Sequence, residues 1–406
     1  MPEIRPEIET IAKIKVVGIG GAGNSAINRM ISSKIRGVEF IAINTDIQAL
    51  HQNQAKNKLH IGKNTTKGLG AGMNPEAGFQ AAQENLNEIR DLLKGSDMVF
   101  VTCGLGGGTG TGASPIVAQV AKEIGALTIA VVTKPFTFEG AQRTSIAERG
   151  FNELKDKVDA IITIPNDRIF QAIDKKTSVL DAFKIVDDIL RQGVQGISEL
   201  ITIPGLVNLD FNDVKTIMQD TGSALMGIGE SSGENRAVSA AKMAISSPLL
   251  DISIEGARGI LYIIVGGNNL AMSEIQEAAK VISENADENA KIIFGAAIDE
   301  SLKDKIRITV IATGFGEKDP VKKVAQKSHS YTPNPVFTRK TVEDGGLFKS
   351  QNKNDSEFTQ PTRISSIDAE DNIIAPPKPT PMQSPKPVQS EDDDLEIPAF
   401  LRRKMK

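Results

Sequence analysis

A chain of 406 residues, 40% of them apolar, can build a sizeable core and has room for two domains and a tail. Its net charge of −4 supplies no basic face, so no nucleic-acid partner is expected. The single cysteine, Cys103, excludes a disulfide framework. His51, His60 and His329 stand apart from other ligand types at metal spacing, so no dedicated protein ligands for a metal are expected.

The opening residues, MPEIRPEIETIAKIK, carry charges and prolines where a secretory signal needs an apolar stretch. Runs such as LYIIV and LTIAVV are too short to span a membrane, and a soluble cytoplasmic protein is expected. After an extension over residues 1–12, the runs IKVVGIG, VEFIAINT, MVFVTCGL, ALTIAVVT and AIITIP alternate with helical patterns up to about Pro165. Each is apolar at consecutive positions, which indicates strands buried on both faces and hence a parallel α/β sheet. This first domain is placed at 13–176. A long central helix follows at 177–202, where Leu180, Phe183, Val186, Leu190, Val194, Ile197 and Ile201 recur at three- and four-residue steps. Pro204-Gly205 stops it.

A loop and short helix are placed at 203–219, and a smaller α/β domain at 220–316. Its strands are RGILYIIVGG, KIIFGAAI and IRITVIATGF, and its helix is SEIQEAAKVISENA. Residues 317–390 turn polar and proline-bearing, with too little apolar surface to offset the entropy of ordering, so disorder is expected there. At 391–406 the chain becomes briefly apolar again, then basic.

Three glycine loops lie between strands and helices. The first, Gly18-Ile19-Gly20-Gly21-Ala22-Gly23-Asn24-Ser25, lets backbone amides approach a phosphate at a helix N-terminus. It also satisfies G-x-G-x-x-G, with Asp46 at a suitable distance for a ribose contact. Alone it suggests a dinucleotide enzyme, the alternative being a tight turn without a ligand. The second, Gly106-Gly107-Gly108-Thr109-Gly110-Thr111-Gly112, adds two hydroxyl donors to a run of free amides and suits several phosphate oxygens at once. With the third, Gly68 to Pro75, the set fits a triphosphate better than the bridged diphosphate of NAD. None ends in the G-K-[ST] of a Walker loop.

GGGTGTG is similar to the signature loop of the tubulin superfamily. GGAGNSAINRM, AINTD, GLGAGMNPEAG, TKPFTFEG and TIPNDR resemble successive nucleotide loops of its FtsZ cell-division branch. The likeness runs from residue 13 to about 316 and resumes at the C-terminus. It implies a tubulin-like fold: a Rossmann-type parallel-sheet GTPase domain, joined by a long central helix to a smaller α/β domain, then a disordered tail. It implies an enzyme that takes GTP to GDP and phosphate, activated by self-assembly, with Mg2+ bound through phosphates and water. Gly20, Gly21, Ala22, Gly23, Asn24 and Ser25 would then hold phosphates, as would Gly107, Gly108, Thr109, Gly110, Thr111 and Gly112. Gly70, Ala71 and Gly72 would lie near the γ-phosphate, Glu139 and Arg143 at ribose and phosphate, and Asn166 near ribose and base. Ser25 departs from the asparagine common in the family but keeps a donor. Asp187-Asp188 stands where many relatives pair an acid with asparagine.

On the central helix, Phe183 and Asp187 share a face and can grip one ring by stacking and by a carboxylate. Guanine offers adjacent N1–H and N2 donors to such a carboxylate and adenine does not; the alternative is a core Phe183 and a surface Asp187. Asp188 points away and is expected to be solvated. In the loop after the helix, Asp210 and Asp213 suit a helix start with no chemistry. The resemblance implies instead that Asn208, Asp210 and Asp213 enter the neighbouring subunit's site and position the attacking water. Each site would be split between subunits, giving an open head-to-tail homopolymer.

At the C-terminus, Ile397, Pro398, Phe400 and Leu401 form a cluster too short to bury itself. It is readable as a frayed end or as a docking peptide. The resemblance favours a peptide that binds membrane-tethering division proteins such as FtsA, with only indirect membrane contact and a place at the midcell division site. The linker, about 75 residues long, has a coil reach of roughly 50 Å. Two alternatives stay open: a tubulin-like scaffold that binds GTP without cleaving it, and an NAD-binding oxidoreductase, for which no suitable His–Asp arrangement is visible.

Overall fold

The consecutive apolar runs of the first half fold into strands that are mostly buried on both faces. The computed structural model of the chain describes residues 12–172, 177–202, 207, 210–247, 254 and 256–315. Residues 1–11, Asn208 and most of its loop, the linker and the C-terminal peptide lie outside the described residues.

The first half runs β1 (Ile14–Ile19), α1 (Gly20–Ser32), β2 (Val38–Asn44), α2 (Ile47–Gln52), β3 (Asn57–His60), α3 (Lys63–Thr66), α4 (Pro75–Glu84) and α5 (Leu86–Leu93). It continues with β4 (Met98–Gly104), α6 (Thr109–Glu123), β5 (Leu127–Lys134), α7 (Ala141–Lys155), β6 (Ala160–Pro165) and α8 (Asn166–Ala172). The central helix is α9 (Val179–Thr202), within two residues of its expected start. The second half comprises α10 (Phe211–Met218), β7 (Gly222–Ser232), α11 (Arg236–Ile245), β8 (Gly259–Gly266), α12 (Met272–Ser283), β9 (Lys291–Ile298) and β10 (Lys305–Thr313).

All ten strands join one sheet in the order β3-β2-β1-β4-β5-β6-β7-β10-β8-β9. Pairing is parallel throughout except for β10, which runs antiparallel to both β7 and β8. The boundary placed near residue 220 therefore falls inside one sheet. There β7 pairs with β6 over three residues and then continues along β10 for nine. One apolar cluster lies under α9 and α10 and takes in Val16, Phe100 and Ile129 from the first half with Leu261, Ile263 and Ile311 from the second. Val194, Leu190 and Ile197 of α9 are fully buried in it. The N-terminal end of the α9 stripe differs: Leu180 is 67% exposed and Phe183 42% exposed. At that end the stripe is not closed over, though Ala182 and Val186 beside it are buried.

Strand order matters most at one place. β1 has β2 on one side and β4 on the other, so the chain reverses its direction of winding between β1 and β4. In an open parallel sheet this reversal leaves a crevice beyond the C-terminal strand ends, where ligands bind. Ile19 pairs with Cys103 at those ends, which sets the first two glycine loops side by side.

Candidate nucleotide site

A cavity of about 470 Å³ opens at this crevice, within the range of small-molecule sites. Its floor is the pair of turns after β1 and β4. Helices α1 and α6 start there at Gly20 and Thr109, so two sets of free amides and two positive helix ends converge. The glycines divide by what surrounds them. A Cβ on Gly23 would lie 2.4 Å from Thr102 O, and one on Gly112 would lie 1.9 Å from Pro75 O, so these permit close packing of helix on strand and of α6 on α4. At Gly21, Gly70, Gly72 and Gly107 nothing lies within 4 Å, and all four line the cavity. The third loop is tied to the second by a hydrogen bond from Gly108 N–H to Gly72 O, 2.6 Å.

Of the residues read from the sequence, Gly21, Ala22, Ser25, Gly70, Ala71 and Gly72 line the cavity. So do Gly107, Gly108, Thr109, Gly110, Glu139, Arg143, Asn166, Phe183 and Asp187. Gly20, Gly23, Asn24, Thr111 and Gly112 stand behind this wall. Thr111 Oγ1 accepts from Gly106 N–H at 2.9 Å and so shapes the turn from within. Asn24 is buried, and neither of its side-chain polar atoms has a hydrogen-bond partner among the described residues. Arg143 Nε and Asn166 Oδ1 are likewise buried and unsatisfied. Buried polar atoms rarely stay unpaired, and a cluster of them around one cavity fits a polar ligand with both donors and acceptors.

The far end of the cavity is different in character. Phe183 stands there with its ring edge-to-face against Phe136, centroids 5.6 Å apart. One turn on, Asp187 is pushed up to about 6 by burial, with Arg29 pulling the other way and Asp188 adding to the rise. Neither a core Phe183 nor a fully exposed Asp187 describes this arrangement. Asp188, expected to be solvated, is instead half-buried between two arginines: Arg191 Nε at 2.7 Å and Arg29 Nε at 3.7 Å. Glu139 is paired with Arg143 at 2.9 Å and accepts from Phe136 N–H at 3.0 Å, which fixes the wall between the two ends.

Asn44, Thr133 and Pro135 also line the cavity; the sequence reading marked their segments, AINTD and TKPFTFEG, but not these residues individually. A polar residue ending an apolar strand on this edge was the available signal. Asp46 lines it too, but its carboxylate caps α2 by accepting from Gln48 N–H and Ala49 N–H. Asp210 and Asp213 do not line it. They form a capping box on α10, with Asp210 accepting from Asn212 N–H at 3.1 Å and Asp213 accepting from Asp210 N–H at 3.2 Å. Val207, the one described residue of the preceding loop, exchanges two backbone hydrogen bonds with Ala296 on the edge strand β9. Among the described residues no group of three or more His, Cys, Asp or Glu side chains could hold a metal ion. Among them no helix is long and apolar enough to cross a membrane.

The family model for the GTPase domain of the Tubulin/FtsZ family matches residues 13–174, which makes the protein a GTPase of the tubulin type. The model for the C-terminal domain of the FtsZ family matches residues 222–316. An FtsZ dimer from M. jannaschii is 48% identical, with a TM-score of 0.73 over 76% of this chain and 89% of the other. The chain belongs to the FtsZ family. CetZ1 from Haloferax volcanii, solved as a GDP-bound monomer, shares the fold at 21% identity, with a TM-score of 0.66 over 75% of this chain and 95% of the other.

Proposed function

We propose that this GTPase is a cell-division protein that stacks head to tail and cleaves GTP at the joint between subunits. The observation that carries the reading is the polarity of the cavity. One end offers open glycine amides at two helix N-termini, and the other offers an aromatic ring with a desolvated carboxylate. Phosphates belong at the first end, where amides and helix dipoles favour charge. Guanine belongs at the second, where Asp187 can accept from N1–H and N2 together over Phe183. Arg143 and Asn166 between them complete their hydrogen bonds on the sugar and phosphate.

The acids lining the pocket are each already engaged or at the base end: Asp46 caps α2, Glu139 pairs with Arg143 and Asp187 faces the base. The attack on the γ-phosphate is therefore read as needing acids from elsewhere. Asp210 and Asp213 lie outside the pocket, with Asp210 exposed. A neighbour's Asp210 and Asp213, with Asn208, brought over the open end by stacking would position that water. Phosphoryl transfer asks for little beyond positioning and charge stabilisation. Mg2+, held by phosphate oxygens and water, supplies neutralisation of phosphate charge when bound. A contact of this kind does not close on itself, so it builds a filament. The relative at 48% identity was solved as a dimer, which supports self-association here. The capping box favours a second, purely structural role for the same two acids, and the two roles are compatible.

On this reading the nucleotide domain spans 13–176, the central helix 177–202, the loop and short helix 203–219 and the C-terminal domain 220–316. The linker at 317–390 and the peptide at 391–406 tether filaments in the cytoplasm to a membrane-bound partner such as FtsA at midcell. The decisive experiment is phosphate release against protein concentration, with GTP and ATP compared. Turnover per subunit should rise above a threshold with GTP alone. A specific activity that stays constant on dilution would rule out the shared site.

A further inference from the structure

The residue after β2, Thr45, is fully buried. Its carbonyl lies 2.9 Å from His60 Nε2 on β3, and the carbonyl before it, Asn44 O, accepts from Ile61 N–H just beyond β3 at 3.0 Å. A buried hydroxyl needs a partner. Thr45 Oγ1 has one in Thr109 Oγ1, 2.7 Å away on the first residue of α6. Thr109 lines the cavity and Thr45 does not, so the pair joins a wall group to one inside the protein.

A hydroxyl carries one hydrogen and two lone pairs, so only one member of the pair donates to the other. If Thr109 donated inward, it would turn a lone pair toward the cavity and oppose an anion there. If Thr45 donates, the hydrogen of Thr109 is free to point outward, where a phosphate oxygen can only accept. A hydroxyl that accepts one bond is also the better donor of another. Among the described residues Thr109 Oγ1 has no other hydrogen-bond partner to compete for that hydrogen.

We propose that Thr45 is a positioning residue of the phosphate site: by donating to Thr109 Oγ1 it fixes the Thr109 hydroxyl as a donor into the cavity. The proposal rests on the reading that this cavity holds the phosphates of GTP.

The test uses the full chain, below the concentration at which it assembles, and titrates a fluorescent GTP analogue. Thr45→Val keeps the shape and removes the donor, and should weaken binding about five-fold, the loss of one neutral hydrogen bond's contribution. Thr45→Ser should bind like the unaltered chain. In a Thr109→Val background, Thr45→Val should add nothing, because the hydroxyl it serves is gone; a general structural role would weaken both backgrounds equally. Should the valine variant not fold, Thr45→Cys, similar in size and a weaker donor, gives the same comparison. Unchanged binding in the Thr45 variants, or an equal loss in both backgrounds, overturns the proposal. If the unaltered chain does not bind the analogue, the reading beneath it fails instead.

Discussion

Asp187 faces the cavity with its carboxyl pushed up to about 6 by burial. In Asp188 beside it, burial is outweighed by hydrogen bonds from Arg191 and Gln192 and by the charges of Arg191 and Arg29, which leave it below the usual range. The difference makes Asp187 the titrating member of the pair. Guanine needs the ionised form, so GTP affinity should be level above about pH 6 and fall about ten-fold per unit below it. Asp187→Asn should bind weakly at neutral pH and lose that dependence, as nucleotide titrations at several pH values would show. In the ligand-free protein the sign reverses. A carboxyl raised from 3.8 to about 6 disfavours folding above that range and is relieved as pH falls, so Asp187→Asn should melt higher at pH above 6. Glycines divide in the same manner. Gly107→Ala enters open space over the cavity and should weaken GTP binding with little change in stability. Gly112→Ala drives a Cβ to 1.9 Å from Pro75 O and should destabilise the fold by about 2 kcal/mol, read by denaturant titration.

At the level of elements, α10 carries two roles on one turn. Asp210 caps the helix and is proposed to serve the neighbouring subunit's site, and substitution can part these roles. Asp210→Ser keeps an N-cap oxygen and removes the charge, whereas Asp210→Ala removes both. Serine should leave stability nearly intact and alanine should cost about 1 kcal/mol. Both should abolish phosphate release while GTP binding survives. If serine restored turnover, capping would be the whole role of this acid. Five strands of the first half are legible as apolar runs, because strands buried on both faces leave no polar alternation. β3 and β7 are not. β3 is four residues, NKLH, on the sheet's edge. β7, GSALMGIGESS, is rich in small residues because Gly229 lies against α11, where a Cβ would stand 2.0 Å from Ala240 O.

Across the described residues, the two halves share one sheet and one apolar cluster under α9, so the cavity and α10 are built on one frame. A site split between subunits makes mixtures informative. Asp213→Ala supplies a sound pocket without the acid, and Gly107→Val supplies the acid with an obstructed pocket. Each alone should release no phosphate above background. In an equal mixture that co-assembles at random, about a quarter of the joints pair a good pocket with good acids, so activity should reappear. Silence of the mixture, with assembly verified by sedimentation, would count against a shared site.

From the residues alone came the parallel α/β class, the central helix, the three glycine loops and the shared helix face of Phe183 and Asp187, since continuous apolarity, helical spacing and Gly-rich turns are local properties of the chain. The choice of a base grip over a core Phe183 and a surface Asp187 came from the family resemblance. Tertiary structure decided which glycines face the cavity and which only let backbones meet. It also decided that Asp188 is occupied by Arg29 from α1, and that Thr45 lies 2.7 Å from Thr109. Thr45 and Thr109 are 64 positions apart and meet through the crossover between β1 and β4, whereas Arg29 and Asp188 meet because α9 lies beside α1; no local pattern records such contacts.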